Sequence, residues 1–338
     1  MTATPRTGVV TSGTGGVWNV LTDDGVEVEV ALRGRLKKSG AGRRADGSLR
    51  RDTVAARART LKLAVGDRVR LDTEHPGSDA WAIAEILPRR SSLRRREPGG
   101  GLGERVIAAN LDQSVIVFAA ANPEPHPRML DRFLVIGEAN GIALRVIINK
   151  VELVGEDAAR ARFADYERAG YNVHFTSVKQ RIGLEGVSAA LAGRVSVLSG
   201  PSGVGKSSIL NALFPGLGLR VAEISASVNK GRHTTVGALM HPLPAPAGGA
   251  VVDTPGLREI GMWGLPRTEL DRCFPEFRGP RQECRFDNCG HVKEPGCAVR
   301  AAVDQETVSA ARYDSYRKLR EEIDAEQTKG RRVPSKRR

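Results

Sequence analysis

Over residues 7–88 apolar and polar positions alternate in short runs: Val9-Val10, Val17-Trp18-Asn19-Val20, Val26-Glu27-Val28-Glu29-Val30, Asp67-Arg68-Val69-Arg70-Leu71 and Ala82-Ile83-Ala84-Glu85-Ile86. A period of two puts alternate side chains on one face of a strand, so each run predicts a half-buried strand. Turn pairs such as Asp24-Gly25 and Gly66-Asp67 punctuate the runs. Five short strands so separated predict a small antiparallel barrel, an OB-fold. Between two of them, residues 33–60 are rich in Arg, Lys, Gly and Ser, with few apolar side chains larger than alanine. That stretch cannot contribute to a core and is expected to be a disordered or RNA-ordered loop.

The pattern changes beyond the glycine-rich linker Glu97–Gly103. Val115–Ala119 and Leu144–Ile148 are continuous apolar runs, typical of strands covered on both faces. Pro127–Asn140, with Met129, Leu130, Phe133, Leu134 and Ile136, has helical spacing, and so does Ala158–Ala169 ahead of a third strand at Val173–Thr176. Strand and helix alternating with short loops predict a parallel α/β sheet. A last amphipathic helix is expected over Val308–Ile323. The fold class is therefore multidomain α/β: a barrel with a basic insertion in residues 1–97, an α/β domain in 98–262, and a smaller helical module in 263–338.

Charge adds a partner to this outline. The 338 residues carry 52 Lys and Arg against 39 Asp and Glu, a formal charge of +13 with a pI near 10.0. The excess is clustered: 13 Lys or Arg against 3 Asp between Arg33 and Arg70, five arginines within Arg89–Arg96, and six cations without an acid in Lys329–Arg338. Such density suits a phosphate backbone, and the last stretch is expected to be disordered until bound. With aromatics at 4% of the chain, shape and backbone recognition of RNA is expected, without DNA specificity. Trp18 and Trp81 are either barrel-core residues or stacking platforms. The chain has no run of 18 apolar residues and no apolar segment behind its first methionine, so neither a membrane span nor a secretory signal is expected, and the cytoplasm follows.

Candidate chemistry sits at predicted strand ends. Val195–Leu198 leads into Gly200-Pro201-Ser202-Gly203-Val204-Gly205-Lys206-Ser207, followed by Ser208 and an apolar helix. This fills G-x-x-x-x-G-K-[ST]: the glycines let backbone N–H groups turn in towards phosphate oxygens, Lys206 reaches the terminal phosphates, and Ser207 holds Mg²⁺. Asn149-Lys150-Val151-Glu152 follows the second buried strand, and Thr176-Ser177-Val178 ends the third. His233 precedes the paired Thr234 and Thr235, and Asp253-Thr-Pro-Gly256 ends another strand. Parallel sheets bind ligands at this edge. Further on, Cys284, Cys289, His291 and Cys297 offer three thiolates and an imidazole within fourteen residues, a closed tetrahedral set for one structural Zn²⁺. Cys273 lies outside the set, among apolar neighbours, and reads as a buried inert thiol. Around the cluster Arg278, Arg281, Arg285, His291 and Lys293 form a basic knuckle suited to nucleic-acid phosphates.

The phosphate loop and these four strand-end segments resemble the five signatures of translation-factor-type GTPases. In that family N-K-x-D reads guanine, the D-x-x-G aspartate meets Mg²⁺ through water while its glycine senses the γ-phosphate, and a switch threonine joins the metal. The resemblance carries these roles to Asn149, Lys150 and Glu152, to Asp253 and Gly256, and to Thr234 or Thr235. The order is rotated, with base-reading segments ahead of the phosphate loop, which a circular permutation explains because domain termini lie close together. A permuted GTPase between a barrel and a C-x4-C-x-H-x5-C cluster is similar to the bacterial RsgA or YjeQ family of small-ribosomal-subunit biogenesis GTPases. The resemblance runs from about residue 7 to 320, and it implies GTP and GDP with Mg²⁺, a 30S subunit and 16S rRNA as partners, and a late maturation step. A monomer is expected.

Two departures matter. Glu152 stands where the family has Asp, moving the acceptor by about one bond, ~1.5 Å. Leu257 follows D-x-x-G where many GTPases place a water-orienting Gln, so slow intrinsic hydrolysis is expected, stimulated on the ribosome. His233 is either the group that positions water or a loop histidine. Two other readings stand beside the GTPase: an ATP-using P-loop enzyme on RNA, and an RNA-binding nucleotide switch with little turnover.

Overall fold

The computed structural model describes residues 6–14, 16–32, 63–73, 80–96, 104–219, 238–254 and 265–331. Each alternating run becomes a strand: β1 (Arg6–Thr14), β2 (Val17–Thr22), β3 (Glu27–Leu32), β4 (Arg68–Thr73) and β5 (Trp81–Ile86). They close in the order β1-β2-β3-β5-β4, with β3 and β5 parallel and the other pairs antiparallel. The inward positions Val10, Val20, Val30, Val69, Leu71 and Ile83 are fully buried, with Trp18 and Trp81 packed against them. Both tryptophans thus do core work, although Arg6 also lies 4.9 Å over the Trp81 ring. The predicted insertion lies outside the described residues.

Several of the arginines assigned to a phosphate groove are engaged within the protein. Arg68 makes two hydrogen bonds to Asp23, Arg70 two to Glu85, and the nearly buried Arg89 two to Asp67, which is wholly buried. Sequence spacing hid these partners, because each acid comes from another strand or turn. Arg89 also leads into a hairpin of β6 (Ser92–Arg96) and β7 (Glu104–Ala109), which the hydrophobic pattern does not predict; residues 97–103 join its strands. Through it the barrel is tied to the next domain. Val65 pairs with Ala108, and Gly66 (φ +88°) passes so close to Ala109 that a Cβ would lie 2.1 Å from its carbonyl oxygen.

The central sheet follows: β8 (Gln113–Ala119), α1 (Pro127–Ala139), β9 (Ala143–Asn149), α2 (Glu156–Arg168), β10 (Asn172–Thr176), α3 (Leu184–Leu191), β11 (Val195–Ser199), α4 (Lys206–Leu213), β12 (Leu239–Pro242) and β13 (Ala250–Asp253). Its order is β10-β9-β8-β11-β13-β12, parallel except for β12 at the edge. Every residue of β8 is buried, as its unbroken apolar run requires. Ile116, Phe118, Val146 and Ile148 face α1 and α2, while Val115, Val117, Ile147 and Leu198 face α3 and α4.

The C-terminal module contains α5 (Ala298–Asp304) and α6 (Ala310–Arg331) among short 3-10 turns. Helix α6 runs beyond the predicted end at Ile323, so Lys329–Arg331 is helical where a disordered tail was expected. The apolar stripe stops at Ile323, but a helix can continue on polar residues alone. Phe274, Phe277, Tyr316 and Leu319 form the module's core, and Val135 of α1 enters it from the central domain. The seam carries a buried charge cluster: Arg312 of α6 pairs with Asp131 of α1 and with Glu276, 4.7 Å above the Phe274 ring. No helix among the described residues is long and apolar enough to cross a membrane.

Candidate active site and metal centre

Register brings the strand-end segments together. Ala119 and Thr176 both pair with Asn149, Ser199 pairs with Ile116, and Leu198 with Asp253. The carboxyl ends of β8, β9, β10, β11 and β13 therefore form one edge, and the loop Gly200–Gly205 rises from its middle. At Gly200 (φ +130°) a Cβ would lie 2.0 Å from the Val117 carbonyl oxygen, and at Gly205 (φ +96°) it would lie 2.4 Å from Asn149 Nδ2. Only glycine allows both this backbone and these approaches. Gly205 caps α4, whose first residues Lys206 and Ser207 are buried, with Ser208 beside them. Lys206 Nζ donates to the carbonyl oxygens of Gly200 (2.8 Å) and Pro201 (2.6 Å), curling over its own loop with Ser202 and Gly203 at the tip.

Asn149 joins the loop to the next strand. Its Nδ2 donates to the Val204 carbonyl at 2.9 Å, and its Oδ1 accepts from Thr176 Oγ1 at 3.1 Å. Lys150 has a left-handed backbone (φ 64°) and donates through Nζ to the Asn122 carbonyl, which brings the β8–α1 loop in beside Gly203, a Cβ there standing 3.8 Å from Pro123. Glu152 begins from this turn, and its Oε2 is buried without a hydrogen-bond partner. Ser177 is buried, its N–H bonded to Ile182 O and its Oγ accepting from Gln180 N at 3.0 Å; Val178 packs on the core beneath. Asp253 ends β13 across from Leu198, and Thr254 Oγ1 after it is a second buried atom without a partner. His233, Thr234, Thr235, Gly256 and Leu257 lie outside the described residues.

In the C-terminal module the ligand atoms of Cys284, Cys289, His291 and Cys297 all lie within 4.8 Å of one another. His291 Nδ1 is 3.6 Å from Cys284 Sγ and 3.4 Å from Cys297 Sγ, and those two sulfurs are 4.0 Å apart. A tetrahedron with Zn–S near 2.3 Å has edges of roughly 3.8 Å, so this donor set fits Zn²⁺ with no position left for substrate. His291 Nε2 faces Asp271 Oδ2 at 3.4 Å, and Arg281 also bonds that oxygen at 2.8 Å, a second layer that orients the imidazole. Burial would raise the Asp271 carboxyl, but hydrogen bonds from His291 and Arg281 outweigh it and hold the group below its usual range. Helix α6 fixes the backbone: Tyr313 OH donates to His291 O, and Tyr316 OH and Arg320 donate to Gly290 O. Cys273 is buried outside the cage, its thiol pushed up to about 12 by desolvation. Of the basic knuckle, Arg278 pairs with Glu138 and Arg281 with Asp271.

Comparison with known proteins bears on this pair of sites. The RsgA GTPase family model matches residues 86–263. The small ribosomal subunit biogenesis GTPase RsgA of Gemmatimonas aurantiaca is 54% identical over 320 residues, 95% of this chain and 98% of that protein. The chain belongs to the RsgA GTPase family. An RsgA of Bacteroides fragilis is 36% identical, over 93% of this chain and 96% of its own length. Among solved structures, YjeQ from Thermotoga maritima superposes with a TM-score of 0.72 at 31% identity (95% and 99% coverage), and YloQ, described as a circularly permuted GTPase, with 0.69 at 28% (95% and 96%). The chain is accordingly a GTP hydrolase with a circularly permuted domain, and RsgA membership implies GTP, GDP and Mg²⁺. Sequence reasoning missed the Asn122 loop beside the phosphate loop, and Asp271 and Glu294 around the cage. Asp271 stands 20 residues from His291, with no spacing rule to connect them.

Proposed function

We propose that this chain is a small-ribosomal-subunit biogenesis GTPase that binds the 30S particle and its 16S rRNA, assists late maturation, and leaves after hydrolysis. The modules 1–97, 98–262 and 263–338 divide the work: the first and last grip RNA, and the middle one turns over GTP, as a monomer in the cytoplasm without DNA specificity. The observation that carries the reading is Asn149, hydrogen-bonded at once to Val204 of the phosphate loop and to Thr176. A base read by Asn149, Lys150, Glu152, Thr176, Ser177 and Val178 then lies one nucleoside away from phosphates cradled by the loop Gly200–Ser208, through the N–H groups of its residues other than Pro201.

In this reading Lys206 exchanges its bonds to the Gly200 and Pro201 carbonyls for β- and γ-phosphate oxygens, where negative charge grows as water attacks. Ser207, Thr234 or Thr235, and Asp253 through water would hold Mg²⁺, which would supply positive charge against the phosphates. Gly256 reports the γ-phosphate, and His233 positions water in the absence of a glutamine at Leu257. The buried, unpartnered Oε2 of Glu152 supports guanine as the base, since its N1–H and N2–H groups supply the missing donors. The relatives' names, small ribosomal subunit biogenesis GTPase, support the partner.

Phosphate release from GTP and from ATP, measured alone and with purified small or large subunits, tests the proposal. Slow GTP turnover accelerated by small subunits only is expected. Equal use of ATP would favour the alternative P-loop enzyme, and no acceleration would leave a binding switch.

A further inference from the structure

The chain hides most of its aromatic side chains. In the C-terminal module Phe274 and Phe277 are fully buried, stacked with ring centres 5.1 Å apart and closed by the edge of Tyr316. Phe286 is the contrast: it is 40% exposed, the one aromatic among the large exposed hydrophobic side chains of the described residues. It sits between the ligands Cys284 and Cys289, and the Arg285 guanidinium lies 5.5 Å over its ring. The backbone beneath is fixed, since Arg285 N donates to Gly296 O and Cys289 N to Phe286 O, each at 3.1 Å. An exposed ring on a rigid loop meets a ligand without first being ordered.

The charges nearby narrow the choice of ligand. Arg278 and Arg281 are engaged with Glu138 and Asp271, and Asp287 follows Phe286 directly. The tip is therefore less cationic than its sequence alone suggests. What it offers is one π-face with one guanidinium above it, the pair of surfaces on which unstacked bases settle in single-stranded RNA.

We propose that Phe286 and Arg285 form a stacking platform for an unpaired base of RNA, so that the zinc knuckle reads a single-stranded element while the cage only holds the platform in place. This rests on the rRNA-binding reading above, and the test separates the two. The zinc-loaded full-length chain is titrated with fluorescein-labelled oligouridylate, with an RNA duplex and with small subunits, in the wild type and in the Phe286→Ala, Phe286→Leu and Phe286→Trp variants, with zinc content and melting temperature measured for each. Alanine and leucine are expected to weaken oligouridylate binding about tenfold, the scale of one lost base stack. Tryptophan should restore it, and duplex binding, zinc content and melting temperature should not move. Unchanged oligouridylate binding by Phe286→Ala would overturn the platform. So would full small-subunit affinity in Phe286→Leu alongside a loss in Phe286→Ala, which marks an apolar protein contact. Should small subunits fail to bind the wild type, the proposed function falls, while the oligouridylate series still decides the platform.

Discussion

The phosphate loop and the zinc cage belong to one chain but are held in contrasting ways. The nucleotide edge draws on residues 149–152, 176–178, 200–208 and 253, brought together by strand register, while the cage is assembled within Cys284–Cys297. In the loop Lys206 has partners of its own in the Gly200 and Pro201 carbonyls, and Asn149 is tied to Val204. Around the cage the supporting groups lock each other instead: Gly290 O takes Tyr316 and Arg320, and Glu294 collects N–H groups of Gly290, Val292 and Lys293. A ligand that leaves each cycle is met by groups with another bond to return to. The cage instead brings four donors together in the geometry that a resident Zn²⁺ would need.

The sharpest way to break this contrast is to remove the metal. Zinc contributes about 10–16 kcal/mol to structural sites in small modules, so chelation should collapse the C-terminal module, read as loss of helical circular dichroism together with stoichiometric zinc release. GTP affinity should persist, because the nucleotide edge shares no ligand with the cage. A parallel loss of affinity would show the two regions to be one cooperative unit. Next comes the seam between them. Asp131→Ala strands Arg312 with half its buried partners, and breaking such a pair costs about 3–5 kcal/mol. Denaturant unfolding should show this, with Asp131→Asn recovering part of it by keeping a hydrogen bond.

How far these regions can be read beforehand follows from the same contrast. The barrel strands show in alternation, and the phosphate loop and the cage show in spacing, because one local rule fixes each. Asn149 needed more: its weight came from standing after a buried strand. The hairpin β6–β7 did not show, since Ser92–Arg96 has a single large apolar residue, Leu93, and its partner strand lies beyond the linker. Edge strand β12 is four residues long, too short for any period. Arginines misled for a related reason. Arg68 and Asp23 are 45 residues apart, Arg89 and Asp67 22 apart, so composition counted these arginines among the described residues without the acids that fold onto them.

A smaller effect sharpens the loop side. Gly205→Ala forces a Cβ to 2.4 Å from Asn149 Nδ2 at φ +96°, whereas Gly203→Ala at φ +78° meets nothing nearer than Pro123 at 3.8 Å. Both should lose about 1–3 kcal/mol of stability to backbone strain. Only Gly205→Ala should also lower affinity for GDP, measured by calorimetry, because it alone displaces the residue that joins base and phosphate segments.

The smallest effect concerns Glu294 and its pH dependence. Burial opposes ionisation of this carboxyl, but N–H donors from Val292, Glu294, Lys293 and Gly290 outweigh it and hold the group at about 2, below its ordinary 4.5. A depressed folded value means that the ionised group stabilises the fold above the unfolded value, and that this contribution fades as pH falls from about 4.5 towards 2. Because the group is largely solvated, it should amount to less than about 1 kcal/mol. Acid would also release a bound Zn²⁺, so melting of the wild type alone mixes two processes. Their separation lies in the difference between wild type and Glu294→Gln with zinc content followed alongside: at equal zinc content the gap should close between pH 4.5 and 2. A gap that stays constant through that window would mean that Glu294 supports the cage by shape rather than by charge.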